Sequence, residues 1–438
     1  MRPLVPLALT LCLAAAAPAA LGNGRFPSAQ HLVGGPPGVA DRLAVRTTFG
    51  LLLSLDRGQR WTFYCEDLLG LSNTSLWDAP IQFASDGSLF AGLPDGMVRL
   101  RDGCTTDRVP EIGGSFTADL TASPDGATVF WIGSTGPAAN RVLVSTDGGA
   151  TFSPRGTARD GVLLETVEVS GVDPQRVYVS AVQLEPRAYL LLRSTDGGRS
   201  FRELPIARGD LAGAYLAGLD PRSADGVWIR APLRTDGGGV AGTALLYSAD
   251  GGERFDEVAT TTGPMLGFAV RSDGVVFYGG PDDGLWRGAP SDFRRLSTLP
   301  LTCLRHHGGA LYACANHLRT GWAVGRSADD GATFEPLLRF EEIEGPPACP
   351  AGTVGASICP GRWSVLRRTL VPDAGVSRDA AVADAGAAEP PRAASCGCRA
   401  GGSGATGAAL WAWLLAGLAL RRRRRAMLRA PCAAPSSR

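Results

Sequence analysis

An eight-residue pattern that recurs along the middle of the chain is the feature that most constrains its fold. The pattern S-x-D-x-G-x-x-[FW] begins at residues 54, 145, 194, 248 and 327. Each copy follows an apolar, strand-like run and precedes another. The Ser and Asp side chains can bond to the turn backbone, the Gly can adopt positive φ, and the aromatic ring can pack beneath the turn. The pattern therefore predicts five equivalent hairpin turns.

The spacing of these turns predicts the number of repeating units. The first and last gaps, 91 and 79 residues, are each about twice the roughly 40–45 residues of a propeller blade. Degenerate copies fill both gaps: the segment from residue 100 keeps Asp102 without the Ser, and the segment from residue 288 lacks the motif. Seven blades of four strands follow, over about residues 23–345. A two-sheet sandwich would also be rich in strands, but it would not repeat one turn at a fixed period.

The repeated turn resembles the Asp-box, or BNR repeat, of sialidase-like β-propellers. The resemblance implies an all-β fold and a structural role for the turn residues, because the boxes of that family lie away from the active site. The predicted structural positions are Ser54, Asp56, Gly58, Trp61, Asp102, Ser145, Asp147, Gly149, Phe152, Ser194, Asp196, Gly198, Phe201, Ser248, Asp250, Gly252, Phe255, Ser327, Asp329, Gly331 and Phe334. We expect the five motif aromatics to be buried in equivalent places.

The N-terminus is typical of an exported protein. Arg2 precedes an uncharged apolar run over 4–20 that ends in small residues, with an A-x-A site at 17–19. This order predicts a signal peptide over 1–22. The alternative, a buried N-terminal helix, would have two flanking prolines and no polar face.

The C-terminus is typical of an anchored protein. An Ala/Asp/Pro-rich stretch over 372–395 predicts an extended linker. Cys396 and Cys398 then precede an uncharged segment over 401–420, long enough to cross a bilayer, and five arginines at 421–425. An amphipathic surface helix is the alternative, but 408–420 has no polar face. A short basic tail, 426–438, ends the chain.

The order of features in 396–425 resembles the myxobacterial C-terminal sorting tail known as MYXO-CTERM. That resemblance implies that a protease removes the helix and that the end carrying Cys396 and Cys398 stays with the cell envelope, at the outer membrane or the cell surface. The membrane is then a partner only before processing.

Six cysteines lie between the two ends, an even number that predicts disulfides in an exported chain. Cys303 and Cys314 flank the turn at 308–309 symmetrically, so they are expected to pair across a hairpin. Cys349 and Cys359 would close a loop within a C-terminal extension over 346–371, which leaves Cys65 to pair with Cys104. A metal site is disfavoured because these six include no CxxC spacing and the chain has four His.

The charge distribution excludes nucleic acid as the partner. Residues 23–398 hold 34 Arg and no Lys against 42 Asp or Glu, a net charge of about −8. Phosphate binding depends on clustered basic residues, which this acidic body lacks.

No catalytic, cofactor or metal site is predicted. A sialidase needs three arginines, a Tyr–Glu pair and an Asp at the inner ends of blade strands. The segment 24–27 has residue types related to the family's [FY]-R-I-P motif, but in the wrong order and without the Ile. Tyr278 and Tyr312 are interpreted as core residues, and His306 and His307 as solvated loop residues beside a tight turn. The paired carboxyls are interpreted as turn residues: Asp282, Asp283, Glu341 and Glu342.

Three functions stay open. The first and favoured one is a non-catalytic surface propeller that binds a glycan, a peptide or an envelope protein through its loops. The second is a sialidase-like exo-glycoside hydrolase. The third is a structural or adhesion element of the envelope.

Overall fold

The computed structural model describes residues 26–71, 78–101, 103–134 and 140–371. The predicted signal peptide, linker, sorting tail and anchor cysteines, together with Asp102, lie outside the described residues. Within the described ranges, no helix has the length and hydropathy needed to cross a membrane. The predicted membrane span, 401–420, is outside those ranges.

The described chain forms seven antiparallel sheets, each made of four strands consecutive in sequence. The first four sheets contain β1 (Ala29–Gly34), β2 (Leu43–Thr47), β3 (Gly50–Ser54), β4 (Thr62–Tyr64); β5 (Ile81–Phe83), β6 (Leu89–Leu93), β7 (Gly96–Leu100), β8 (Thr106–Arg108); β9 (Phe116–Ala122), β10 (Val129–Ser134), β11 (Asn140–Ser145), β12 (Ser153–Arg159); and β13 (Val162–Val169), β14 (Val177–Gln183), β15 (Ala188–Ser194), β16 (Arg202–Pro205). The last three contain β17 (Tyr215–Leu219), β18 (Val227–Arg234), β19 (Val240–Ser248), β20 (Asp256–Thr261); β21 (Gly267–Val270), β22 (Val276–Gly280), β23 (Gly284–Ala289), β24 (Asp292–Ser297); and β25 (Leu301–His307), β26 (Ala310–Ala315), β27 (Val324–Ser327), β28 (Glu335–Leu338).

The sheets are arranged in a closed ring. The first strand of each sheet packs against the first strand of the next, and β25 of the last sheet packs against β1. This is a seven-bladed β-propeller. The third strands end at 54, 100, 145, 194, 248, 289 and 327, so the blade count predicted from turn spacing is confirmed, including the two blades with degenerate turns.

Burial follows each strand's place in its blade. The second strands β6, β22 and β26 are buried along their whole length because each blade lies between two neighbours. The outer strands β12 and β24 are largely exposed. Strand sequences therefore lose the simple alternation of a half-buried sheet in the middle of each blade.

The ring closes without exchanging a strand between its ends, since blades 1 and 7 are each built from consecutive strands. Thr302 Oγ1 donates to the Ala29 carbonyl at 2.6 Å, and the Trp61 indole N–H donates to the Leu337 carbonyl at 3.0 Å. The segment that follows β28 then returns to blade 1, where Phe63 N donates to the Gly345 carbonyl at 2.8 Å.

Four α-helices and three short 3₁₀-helices complete the described structure, and two of the α-helices belong to the C-terminal extension. The α-helices are α1 (Glu66–Leu69), α2 (His317–Thr320), α3 (Val354–Ser357) and α4 (Cys359–Leu370). The partly buried side chains Trp363 and Leu366 of α4 pack against the core of blade 1. Arg362 of the same helix forms an ion pair with Asp67 at 2.8 Å.

The disulfides correct two predicted pairings. Cys303 pairs with Cys314 as predicted, but Cys65 is bonded to Cys359 and Cys104 to Cys349. The predicted pairs Cys349–Cys359 and Cys65–Cys104 are wrong because the extension folds against blades 1 and 2. Each of its cysteines therefore meets a cysteine of a different blade, and the extension is closed onto the propeller, not onto itself.

Candidate functional site

The up-and-down order of each blade gives the ring two chemically different faces. Strands alternate in direction, so the connections from first to second and from third to fourth strands lie on one face, called the lower face here. The hairpins between second and third strands, and the connections from one blade to the next, lie on the upper face. All five repeated turns join third and fourth strands, which places them on the lower face.

Each repeated turn is held by its own side chains. In the third blade, Ser145 Oγ donates to Asp147 Oδ1 at 2.6 Å and accepts from Gly149 N at 2.7 Å. Asp147 Oδ1 also accepts from Ala150 N and Thr151 N at 2.9 and 3.0 Å. The same Ser–Asp and Gly–Ser bonds recur in the other four turns at 2.7 or 2.8 Å. One local network thus forms five times.

The turn glycine and aromatic ring connect neighbouring blades. Gly149 has φ +82°, and a Cβ there would lie 2.3 Å from the Phe90 ring of the preceding blade. Phe152 packs edge-on against the same ring at 6.0 Å. Trp61 and Phe152 are buried, but Phe201, Phe255 and Phe334 are only half-buried. The expectation of five buried rings is therefore wrong for three, whose rings pack against the blade cores but keep one part exposed.

The turn carboxylates are fully engaged within their turns. Hydrogen bonds from Ser200 and Thr333 help to lower the pKa of Asp196 and Asp329, respectively, to about 2. A carboxylate stabilised in its charged form by its own turn is a poor proton donor or acceptor near neutral pH. The geometry supports a structural role for these groups.

The central channel is lined by the first strands, and five of these carry a β-bulge. The extra residue in blades 1, 3, 4, 5 and 7 is Gln30, Ala118, Glu165, Ala217 and Thr302, respectively. A bulge turns the following side chains away from the regular alternation. Polar and charged groups are thereby brought to the inner surface of the ring.

Charged side chains from opposite blades influence each other across this channel. His31 of blade 1 has its pKa lowered to about 3, first by burial and then by Arg46, Arg305 and Arg230. These arginines belong to blades 1, 7 and 5. Burial raises the pKa of Glu168 in blade 4, and the charge of Arg305 partly opposes this rise. The channel thus has cationic groups on one side, carboxyl groups on the other, and a His31 that is neutral at physiological pH.

Asp119 has a structural partner as well as an unusual pKa. Its Oδ2 accepts from Val167 N of the next blade at 3.0 Å, and its Oδ1 accepts from Leu120 N at 2.9 Å. Burial nevertheless raises its pKa to about 7. Thr166 makes a similar link, accepting from Leu216 N at 2.8 Å. Side chains following the bulges therefore tie each first strand to its neighbour.

A cluster of four side chains lies at the upper mouth of the channel, between blades 4 and 5. Arg187 donates to Tyr189 Oη at 3.1 Å and lies over the same ring. Burial raises the pKa of Tyr215, and the nearby Glu165 raises it further. Burial also raises the pKa of Glu165, an effect that Arg187 opposes. In this mouth cluster a Tyr and a Glu act on each other electrostatically, and these are two of the residue types that a sialidase needs.

Exposed apolar side chains are concentrated on the upper face. Of the nine large apolar residues exposed in the described part of the propeller, only Leu55 and Val172 belong to lower-face connections. The other seven lie in upper connections or at the upper ends of strands: Phe26, Phe116, Leu163, Leu184, Val240, Leu266 and Leu318. An apolar set of this kind, spread over six blades, is typical of an interaction surface.

The tyrosines and histidines weighed from sequence occupy structural positions. Tyr278 is buried between Trp286, with ring centroids 6.1 Å apart, and Phe293. Tyr312 is also buried in its blade. His307 bonds to the Ala40 carbonyl at 3.0 Å, linking blades 7 and 1. Burial is the main cause that lowers the pKa of the neighbouring His306.

The paired carboxyl residues, Asp282–Asp283 and Glu341–Glu342, do not form a catalytic pair either, because the members with described contacts bond to separate structural partners. Asp283 accepts from Thr262 N and Gly263 N at 2.9 and 3.0 Å, which ties the turn after β22 to the connection between blades 5 and 6. Glu341 pairs with His317, and Glu342 with Arg339 at 3.2 Å. In the part of the chain that the structure describes, no group of three or more His, Cys, Asp or Glu could hold a metal ion.

The channel and mouth residues were not predicted from the sequence. Each stands alone in its own blade, with no spacing that links it to the others. A partial signal exists, because a first strand such as β13 carries Glu165 and Glu168 among apolar residues. Ring closure, not sequence proximity, brings them together.

Comparison with known proteins supports the propeller fold. No protein-family model and no curated protein matches the sequence. Among solved structures, the chain is similar to Kuenenia stuttgartiensis hydrazine synthase, with a TM-score of 0.51 and 13% identity over 69% of this chain and 95% of that chain. It also matches a GH74 enzyme of Niastella koreensis (TM-score 0.35, 13% identity, 69% of this chain and 62% of that chain).

A GH74 xyloglucanase of Xanthomonas campestris matches as well, with a TM-score of 0.34 and 15% identity over 72% of this chain and 64% of that chain. This chain covers less than two thirds of either GH74 structure. At such identities, the similarity concerns the fold alone.

Proposed function

We propose that this protein is an exported, envelope-anchored β-propeller that binds its ligand without catalysing a reaction, and that the ligand lies on the upper face. The repeated lower-face turns are, in this proposal, Asp-boxes of structural function. The sequence features at the two ends support export by residues 1–22 and anchoring through a MYXO-CTERM-type tail over 396–425, by way of Cys396 and Cys398.

The observation that carries the proposal is the uneven distribution of exposed apolar side chains. Side chains such as Leu184 and Val240 are 40% and 62% exposed, and they belong to upper hairpins of neighbouring blades. Exposed apolar area of this kind is stabilised when a partner covers it. The lower face is filled by five self-contained turns, whose polar groups already bond to one another, so it offers few groups to a ligand.

The experiment compares matched substitutions on the two faces. Ligands of the full chain are first selected from a glycan array and from a displayed peptide library. Binding is then measured for Leu184→Ser with Val240→Ser on the upper face, and for Leu55→Ser with Val172→Ser on the lower face. We expect the upper pair to weaken binding about tenfold or more. Equal effects of the two pairs would contradict the proposal.

A sialidase-like glycoside hydrolase is the second candidate, favoured by the mouth cluster. Tyr215 and Glu165 are neighbours, and Arg46, Arg230 and Arg305 all act on His31 in the channel below. Turnover of a fluorogenic sialoside by the full chain, abolished in Tyr215→Phe and Glu165→Gln, would establish this function. We expect no turnover, because the required acid is an Asp and both carboxylate oxygens of Asp119 in the channel accept backbone hydrogen bonds.

A further inference from the structure

We propose that the partner of the upper face is a basic polypeptide segment that also carries apolar side chains. This inference rests on the proposed function and names the chemistry of its ligand. It follows from the charges that surround the exposed apolar residues.

The upper connections are strongly acidic. In the described connections of that face there are three arginines, Arg187, Arg208 and Arg319, against eleven carboxyl residues. The eleven are Glu66, Asp67, Asp78, Asp95, Glu111, Asp160, Glu185, Asp210, Asp236, Asp282 and Asp283. The lower face differs in its balance of charge, because its described connections contain nine arginines, and some of them, such as Arg222 and Arg271, form ion pairs with acids of the same connections.

Five of these acids are exposed and form no ion pair among the described residues. They are Glu111, Asp160, Glu185, Asp236 and Asp282. Four of them lie within five residues of an exposed apolar side chain: Glu111 near Phe116, Asp160 near Leu163, Glu185 beside Leu184, and Asp236 near Val240. The surface therefore alternates apolar and anionic groups around the ring.

The two kinds of group meet in one concavity between blades 3 and 4. It has a volume of about 400 Å³ and is lined by Val162 and Leu184 together with the acids Asp160 and Glu185. Glu203 also lines it, but this carboxylate already pairs with Arg159, so Asp160 and Glu185 are the acids left for a partner. Its two walls are joined where Leu184 N donates to the Gly161 carbonyl at 2.9 Å. A side chain with an apolar stem and a cationic head, such as Lys or Arg, satisfies both parts of this lining.

The channel mouth offers a second position of the same character. The Glu165 carboxylate makes no hydrogen bond within the described residues, and its charge acts on the Tyr215 hydroxyl and on Arg187. Arg187, which lies 5.6 Å from the centre of the Tyr189 ring, already shows the contact that a guanidinium makes here. A basic side chain of the partner would contact both a carboxylate and an aromatic face.

Charge complementarity selects the polypeptide among other occupants. Anionic lipids, nucleic acids and acidic glycans would meet repulsion from the unpaired carboxylates. A neutral glycan would leave the charges without counterparts. A basic and apolar segment of a protein, laid over the concavity and the mouth, matches both the apolar residues and the charge.

The test measures binding of two designed peptides to the full chain in detergent by fluorescence anisotropy. Both peptides have about twelve residues, with Leu alternating with Lys in one and with Glu in the other. We expect the Lys peptide to bind at least about tenfold more tightly and to weaken with added salt. Asp160→Asn with Glu185→Gln and Asp236→Asn should reduce its affinity about fivefold or more.

A control variant changes three exposed acids at the lower ends of outer strands: Asp256→Asn, Asp292→Asn and Glu335→Gln. This variant should bind the Lys peptide as the native chain does. Equal binding of both peptides, or equal loss in the two triple variants, would overturn the inference. If neither peptide binds while a neutral glycan binds through the upper face, this inference fails and the proposed function stands. If no ligand depends on the upper face, both fail.

Discussion

Cys65, directly after the last strand of blade 1, is bonded to Cys359 at the start of α4, 294 residues further along the chain. Together with Cys104–Cys349, it fixes the segment after blade 7 to blades 1 and 2. Propellers need a device that holds the first and last blades together, and here no strand is exchanged between them. The two disulfides and the hydrogen bonds beside them take that role.

Removing the Cys65–Cys359 bond is expected to destabilise the ring more than removing a hairpin disulfide. Cys65→Ala with Cys359→Ala should lower the free energy of unfolding by about 3–5 kcal/mol, because a long loop is no longer constrained in the unfolded chain. Cys303→Ala with Cys314→Ala, which opens a separation of 11 residues, should cost about 2–3 kcal/mol. Urea unfolding measures both, and an equal or smaller loss for the long-range pair would contradict this account of closure.

A repeated turn should contribute stability without affecting ligand binding. Asp147→Ala removes an acceptor from Ser145, Ala150 and Thr151, and we expect a loss of about 1–2 kcal/mol in unfolding free energy. Asp256→Ala, an exposed acid outside the turns, is the control. Thermal unfolding and ligand affinity are measured together. A loss of affinity at unchanged stability would mean that the turns take part in binding.

The turn glycine should be required for contact between blades as well as for its φ angle. Gly149 and Gly161 both have positive φ, +82° and +71°, but only at Gly149 would a Cβ collide with a buried ring. Gly161→Ala should cost about 1 kcal/mol, from backbone strain alone. Gly149→Ala should cost about 1–3 kcal/mol more. Equal losses in chemical denaturation would show that Phe90 can move aside.

Asp119 should make stability depend on pH in the neutral range. Its pKa is raised from the usual carboxyl value to about 7 in the folded protein, so folding favours the protonated form. Its contribution is present at acidic pH and is lost as pH rises from about 4 through about 7. Carboxyl NMR should show a titration midpoint near 7, and Asp119→Asn should remove this part of the pH slope of unfolding. A midpoint near 4 would contradict the assignment.

The blade number could be predicted from sequence because the turn that marks each blade is a local structure. Ser145, Asp147 and Gly149 bond to one another within five residues, so their chemistry is visible in the sequence. The two blades with degenerate turns are predicted only by the spacing between the complete turn motifs. In blade 6, the third and fourth strands are joined by two residues, 290–291, which leaves no room for the motif.

The disulfide pairing and the channel could not be predicted, for a common physical reason. Cys104 and Cys349 meet because the C-terminal extension packs on blades 1 and 2. His31, Asp119 and Arg230 interact because a ring of seven blades brings strands from distant parts of the chain around one axis. Neither arrangement has a local signal, since it depends on how the whole ring closes.

The central claim, that the upper face binds the ligand, is tested most directly by hydrogen exchange of the full chain with and without the ligand selected as above. We predict that protection increases in upper-face segments, at 160–164, 183–188 and 235–241, because a bound partner covers these backbone amides. The lower-face turns at 145–152, 194–201 and 248–255 should exchange at unchanged rates. Protection of those turns, with the upper segments unaffected, would contradict the account.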